Sequence, residues 1–357
     1  MNKERYLRQI TLDGFGTEGQ QKLNQAKVLV VGAGGLGIPV LTYLNAMGVG
    51  TLGVVDADVV SLSNLHRQVL FTEAMVGMPK VEAIINQLSA QNSNTIINTY
   101  PSYLTVSNVL DIIKEYDIVV DATDNFPTRY LINDACVILN KPFVYGALHA
   151  FEGQVSVFNY KGGPTYRCLF PTMPSADAVP NCNENGVLGI LPGIIGNLQA
   201  LEVVKIIAEI GEVLSGVLLL FDTLSQRTQR MKFKLQLGNN EIKNLASNYD
   251  FDCELPLKSM EANELQQLLS SKSIELIDVR TDKEFQRKHL KEAKHIPLSE
   301  LNNRISEVDL ETTVYVICQS GVRSKKAIAT MQKLFPGKDF VNVTGGMNQM
   351  KNYVDTY

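Results

Sequence analysis

Lys27-Val28-Leu29-Val30-Val31-Gly32-Ala33-Gly34-Gly35-Leu36-Gly37 decides the fold. A short β-branched run ends in a G-x-G-x-x-G pattern, and a helical pattern follows over residues 36–47. Residues 51–55 read as a second strand that ends at Asp56. A helix over 80–91, a strand over 95–100, a helix over 106–114 and a strand over 117–121 continue the alternation. That order implies an α/β fold with a parallel, doubly wound sheet. Gly32, Gly34, Gly35 and Gly37 permit a tight turn and close approach of backbone to phosphate. The helix N-terminus behind them offers free N–H groups and partial positive charge. Alone, the motif says only nucleotide or dinucleotide.

Further strands are expected over 154–160 and 216–221, with a Pro-, Gly- and Asn-rich loop over 162–186. The pattern lapses into polar residues over 238–257, which reads as a linker. Alternation then restarts with a helix over 261–270, a strand over 274–279, a helix over 282–290, a strand over 313–318 and a helix over 324–334. The domains expected are therefore 1–237 and 258–357.

Composition is that of an ordinary soluble chain: 357 residues, 45% hydrophobic and 20% charged. A net charge of −4 gives no bulk attraction to nucleic acid or an anionic membrane. The start, Met1-Asn2-Lys3-Glu4-Arg5, has no apolar run behind it and does not read as a secretory signal. The most apolar stretch, 187–210, is interrupted by Pro192, Asn197, Gln199, Glu202 and Lys205, as expected of a buried helix rather than a membrane span. Five scattered cysteines, at 136, 168, 182, 253 and 318, argue against a disulfide framework and for a reducing cytoplasm.

Residues past the glycine loop separate the nucleotide readings. Asp56, at a strand end, suits ribose hydroxyls. Asp58, Ser63, Asn64, Arg67 and Lys80 follow. Arg67 and Lys80 could neutralise phosphate charge that develops on transfer, which a nicotinamide dehydrogenase does not need. Asp124, with Asn125, lies just past a later strand end and can hold Mg²⁺ through oxygen. Together these favour ATP. An NAD-dependent oxidoreductase and a non-catalytic, nucleotide-binding scaffold stay open as alternatives.

Arg5-Tyr6-Leu7-Arg8-Gln9, the glycine loop, Asp56, Ser63-Asn64-Leu65-His66-Arg67-Gln68, Lys80 and Thr123-Asp124-Asn125 together resemble the MoeB/ThiF/HesA family. The resemblance covers roughly residues 1–237 and implies a Rossmann-like domain. It also implies adenylation of the C-terminal Gly-Gly carboxylate of a small ubiquitin-like sulfur-carrier protein, with ATP and Mg²⁺. By the same resemblance Gly35, Asp56, Asn64, Arg67, Lys80, Asp124 and Asn125 would contact nucleotide or metal. Arg8 would reach the phosphates from the partner subunit of a homodimer.

Cys182 lies among polar residues in the long loop and could approach an activated carboxylate. The family has a cysteine there that can bond to the carrier. Many members also hold zinc on two C-x-x-C pairs. Here Thr165 replaces the first cysteine of one pair, and only Cys168 and Cys253 remain, so no zinc is expected. Cys136, on an expected helix amid apolar residues, reads as core.

Cys318-Gln319-Ser320-Gly321-Val322-Arg323 follows a strand and precedes a helix. Inward N–H groups and a helix N-terminus stabilise a thiolate or persulfide, and Arg323 adds charge. The C-x₄-R loop is one residue shorter than the usual cysteine-phosphatase loop, which suits sulfur better than phosphate. With Asp278-Val279-Arg280, Glu284-Phe285, His289-Leu290, Ala293, His295-Ile296-Pro297 and Gly345-Gly346-Met347, the region resembles the rhodanese family over roughly 258–357. Lys288 and Met350 depart from its pattern. The resemblance implies a sulfurtransferase fed by a persulfide protein or thiosulfate. The carrier could serve molybdopterin, thiamine or thiolation pathways.

Overall fold

β1 (Lys27–Val31) carries four consecutive buried residues because both of its faces are covered. Val28 and Val30 enter one apolar core, and Leu29 and Val31 the other. In the computed structural model, which describes residues 4–174, 186–249, 258–335 and 337–350, the chain divides into two units, Met1–Phe251 and Asp252–Tyr357.

The first unit is built on an eight-stranded sheet ordered β3-β2-β1-β4-β5-β6-β7-β8. Its members are β2 (Thr51–Val55), β3 (Ile96–Tyr100), β4 (Ile118–Asp121), β5 (Phe143–His149), β6 (Glu152–Phe158), β7 (Val217–Asp222) and β8 (Arg227–Lys232). The first five positions in that order pair in parallel. The last three are added antiparallel. β8 ends the sheet, and all six of its residues are exposed. Helices Gly37–Met47 and Ile190–Ala208 supply one core, and Phe126–Ile138 the other. The apolar helix Ile190–Ala208 packs inside the unit. Its Gln199 donates to the Asp121 carbonyl at 2.8 Å, and its Glu202 accepts from the Leu214 N–H.

The second unit has a five-stranded, all-parallel sheet ordered β11-β10-β12-β13-β9. Here β9 is Lys258–Glu261, β10 Glu275–Asp278, β11 Ala293–His295, β12 Val314–Ile317 and β13 Phe340–Thr344.

Three local differences from the sequence reading have physical causes. The helix over 106–114 is only Val109–Ile113, because Asn108 folds the preceding residues into a turn. Its Oδ1 accepts from the Thr105 N–H and its Nδ2 donates to the Tyr103 carbonyl. The helix over 324–334 begins earlier, at Val322, because Gly321 caps it with φ 89°. The linker over 238–257 is not wholly detached: Tyr249 is buried in the first unit and donates to Asp134 at 2.7 Å, while residues 250–257 lie outside the described ones.

Candidate functional site

The strand order turns back between β1 and β4, where the connections leave in opposite directions and open a crevice at the strands' carboxyl ends. A cavity of about 820 Å³ lies there. Gly32, Gly34, Gly35, Asp56, Asp58, Asn64, Arg67, Lys80, Asp124 and Asn125 all line it. Five chain segments thus bring ten of the residues singled out in the sequence to one space.

Gly37 is not in the lining. A Cβ there would stand 1.9 Å from the Gly32 carbonyl oxygen, so its role is to let the helix close against the turn. Asp56 accepts from the Ala33 N–H at 2.7 Å and the Asp58 N–H at 2.8 Å, bracing the glycine loop. Lys80, the first helical residue of Lys80–Gln91, is 4% exposed. Its Nζ lies 2.8 Å from Asp58 Oδ2 and 3.6 Å from Asp56 Oδ1. Arg67 is held by Asn64 Oδ1 at 2.9 Å and by the Ser63 carbonyl at 3.2 Å, which places Ser63 behind the wall. Asn125 caps the helix Phe126–Ile138, accepting from the Thr128 N–H at 2.9 Å. Asp124 is exposed. Arg8 is exposed on Leu7–Ile10 and does not line the cavity.

Tyr103 and Arg129 are among the lining residues that sequence reasoning missed. Tyr103 donates to Asp58 Oδ1 at 3.2 Å, and partial burial together with that carboxylate pushes its phenol up. Arg129 is buried with its guanidinium over the Phe126 and Tyr145 rings. Its Nη2 donates to the Thr123 carbonyl at 2.8 Å, and its Nε lies 3.7 Å from Asp121 Oδ2. Burial pushes the Asp121 carboxyl up, against the pull of Arg129 and Thr123. A signal for Arg129 was available. A cation in a helix's first turn opposes the helix dipole and needs another partner.

Cys182 and Cys253 fall outside the described residues. Cys168 is buried, and its sulfur is surrounded by protein donors: the Gln236 N–H at 3.3 Å, Thr165 at 3.4 Å and Asn239 Nδ2 at 3.7 Å. Burial raises this thiol, but those hydrogen bonds outweigh it and the net shift is downward. Cys136 is fully buried on Phe126–Ile138, and burial pushes its thiol up, as for a core cysteine. Among the described residues no group of three or more His, Cys, Asp or Glu is placed to hold a metal ion.

In the second unit Cys318 sits at the end of β12, fully buried. The Gly321 N–H points at its sulfur from 3.1 Å. The Cys318 carbonyl accepts from the Met347 N–H, and a Cβ on Gly346 would stand 2.1 Å from that carbonyl oxygen. Gly345-Gly346 thus admits the loop. Beside it lies a cavity of about 560 Å³ edged by Arg280, Arg287 and Lys288. Arg323 does not leave its charge free for the sulfur. It makes a two-pronged pair with Glu284 at 2.6 and 2.7 Å, which holds the Glu284 carboxyl down at about 2. Arg280 is similarly engaged by Asp278.

A glycine-loop pocket flanked by cations, and a cysteine whose sulfur meets the Gly321 amide on a second α/β unit, define a two-domain enzyme: an adenylyltransferase joined to a sulfurtransferase. The ThiF family model matches residues 6–242, and a rhodanese-like domain matches 261–353. The chain belongs to the ThiF family and carries a C-terminal rhodanese-like domain.

"Adenylyltransferase and sulfurtransferase MOCS3" of Arabidopsis thaliana is 41% identical to it over 367 residues, covering 92% of this chain and 79% of that protein. The protein of the same name from Culex quinquefasciatus is 40% identical, covering 98% and 87%. A crystal structure of E. coli MccB with ATP shares the fold, with a TM-score of 0.58 at 24% identity over 66% of this chain and 74% of that one.

Proposed function

We propose that the first unit uses ATP to adenylate the C-terminal Gly-Gly carboxylate of a small ubiquitin-like sulfur-carrier protein, and that Cys318 then supplies the sulfur. The observation that carries this reading is the gathering of Gly34, Gly35, Asp56, Arg67, Lys80 and Asp124 around one cavity, with cations on a wall that a triphosphate can reach. The carboxylate attacks the α-phosphorus, pyrophosphate leaves, and an acyl-adenylate remains. Arg67 and Lys80 offset the charge that builds on the departing phosphates. Asp124, an exposed carboxylate at the pocket, would hold an Mg²⁺ ion together with the nucleotide, and the ion would neutralise phosphate charge there.

The Cys318 persulfide attacks the acyl carbon and AMP leaves, giving an acyl disulfide. The thiolate of Cys182 attacks the Cys318 sulfur, the carrier thiocarboxylate departs, and a Cys182–Cys318 disulfide forms, which a two-electron thiol reductant reopens. A persulfide protein or thiosulfate reloads Cys318. The working form is a cytoplasmic homodimer in which Arg8 of one subunit serves the other's pocket. Molybdopterin, thiamine and thiolation pathways all consume such a thiocarboxylate, and the relatives' name favours the first.

The test is ATP–pyrophosphate exchange with candidate Gly-Gly carriers, followed by intact-mass measurement of the carrier after sulfur loading. Carrier-dependent exchange and a carboxylate-to-thiocarboxylate mass change are expected. Hydride transfer to NAD without exchange would overturn the reading.

A further inference from the structure

Beneath Cys318 lies a buried polar chain that the scheme above does not use. Ser324, in the first turn of Val322–Leu334, is fully buried, and so is Asn342 on β13. Ser324 Oγ stands 3.4 Å from Cys318 Sγ and 2.6 Å from Asn342 Oδ1. Asn342 Nδ2 is buried with no hydrogen-bond partner among the described residues. Buried amide donors in folded cores are nearly always paired, so an unpaired Nδ2 beside a serine hydroxyl is a group with a partner within reach of a side-chain turn.

A serine has one hydrogen to give. Donated to Asn342 Oδ1, it leaves the serine oxygen to accept from a Cys318 thiol. A sulfur anion has no hydrogen and needs a donor instead. A half-turn of the Asn342 amide reverses the chain: Nδ2 donates to Ser324 Oγ, and Ser324 donates to sulfur. The number of unpaired amide atoms is the same in both directions, and the anion gains a second donor beside the Gly321 N–H.

Resting on the reading of Cys318 as the sulfur-accepting residue, we propose that Asn342, Ser324 and Cys318 form a reversible hydrogen-bond relay whose direction follows the charge on the cysteine sulfur. Ser324 and Asn342 are positioning residues for the loading step. In that step the Cys318 thiolate attacks the outer sulfur of thiosulfate, the S–S bond breaks with its electron pair on sulfite, and a Cys318 persulfide anion remains. The inner sulfur is then neutral and the serine hydrogen is free to return to Asn342.

The other charged groups around the loop are the same in every variant compared. Asp278 and Arg280 pair on the β10 side, and Glu284 pairs with Arg323, while Arg287 and Lys288 edge the neighbouring cavity. Lys325 and Lys326 follow on the helix itself, and residues 340–350, from β13 through the turn after it, carry no charged side chain.

The experiment measures iodoacetamide alkylation of Cys318 against pH in the full chain, read by peptide mass so that other cysteines do not count. Ser324→Ala removes the donor and should move the alkylation midpoint up by about one pH unit, roughly a tenfold slowing at neutral pH. Asn342→Asp keeps the shape and, ionised, cannot donate. It fixes the serine hydrogen on itself and should move the midpoint at least as far. Ser324→Thr retains the hydroxyl and should restore the wild-type profile.

Profiles of Ser324→Ala and Asn342→Asp that overlay the wild type in cooperatively melting protein would overturn the relay. Failure of Ser324→Thr to restore the profile would count equally against it. Alkylation needs no sulfur donor, so the outcome is separable from the larger scheme. A wild-type chain that gains no sulfur mass at Cys318 from thiosulfate or a persulfide protein refutes the sulfur assignment, whatever the alkylation profile shows.

Discussion

Glu284 and Asp124 are both carboxylates singled out on sequence, and their surroundings give them opposite kinds of work. Glu284 is gripped by Arg323, which holds it down at about 2 against an ordinary 4.5. A carboxylate whose folded value lies below its unfolded one adds stability above the unfolded value and loses it as pH falls toward the folded one. Amide protection across residues 275–330 should therefore weaken between pH 4.5 and about 2, and Glu284→Gln should flatten that decline. Hydrogen exchange read by mass checks this, and parallel acid limbs in the two proteins would exclude the pair as its cause. Asp124 is exposed, so Asp124→Ala should leave the fold intact. It should lower carrier-dependent ATP–pyrophosphate exchange by roughly 10²–10³-fold, the scale of losing one preorganised charge partner. Near-normal exchange in that variant would remove Asp124 from the metal assignment. Sequence named ten of the residues that line the pocket, but not that Arg323 is spent on Glu284. Partners 39 positions apart are set by packing, which no local pattern reports.

Elements were legible where periodicity and punctuation agree. Lys80–Gln91 has the bounds read from sequence, with Pro79 before it and an apolar stripe along it. The helix Phe126–Ile138 was read only as a helix around Cys136, without bounds, although Asn125 and Pro127 announce its start: its residues are buried nearly all round and leave no clear stripe. β5 was hidden for the related reason that buried central strands do not alternate. The loop–helix junction at Cys318 is where element geometry governs chemistry. Gly346 has φ 54° and no room for a Cβ beside the Cys318 carbonyl. Gly346→Ala should destabilise the second unit by about 1–3 kcal/mol and slow sulfur loading, while exchange by the first unit is retained. A melting scan combined with both assays decides it, and loss of exchange at equal folding would contradict the independence of the two units.

At the scale of the molecule, two α/β units were legible because each restarts its own alternation, and they appear as Met1–Phe251 and Asp252–Tyr357. The assembly proposed above has its own test. Mixing Arg8→Ala with Asp124→Ala subunits should yield hybrid dimers with one intact pocket each, for about a quarter of wild-type exchange under random pairing in a twofold dimer. No recovery after verified subunit exchange would rule out a contribution from the partner. A last consequence follows from β8. An open sheet margin invites another chain to add a strand, and Arg227-Thr228-Gln229-Arg230-Met231-Lys232 meets newcomers with three cations in six residues, all in water. Like-charged margins repel each other, which disfavours the edge-to-edge joining of sheets that leads to fibres.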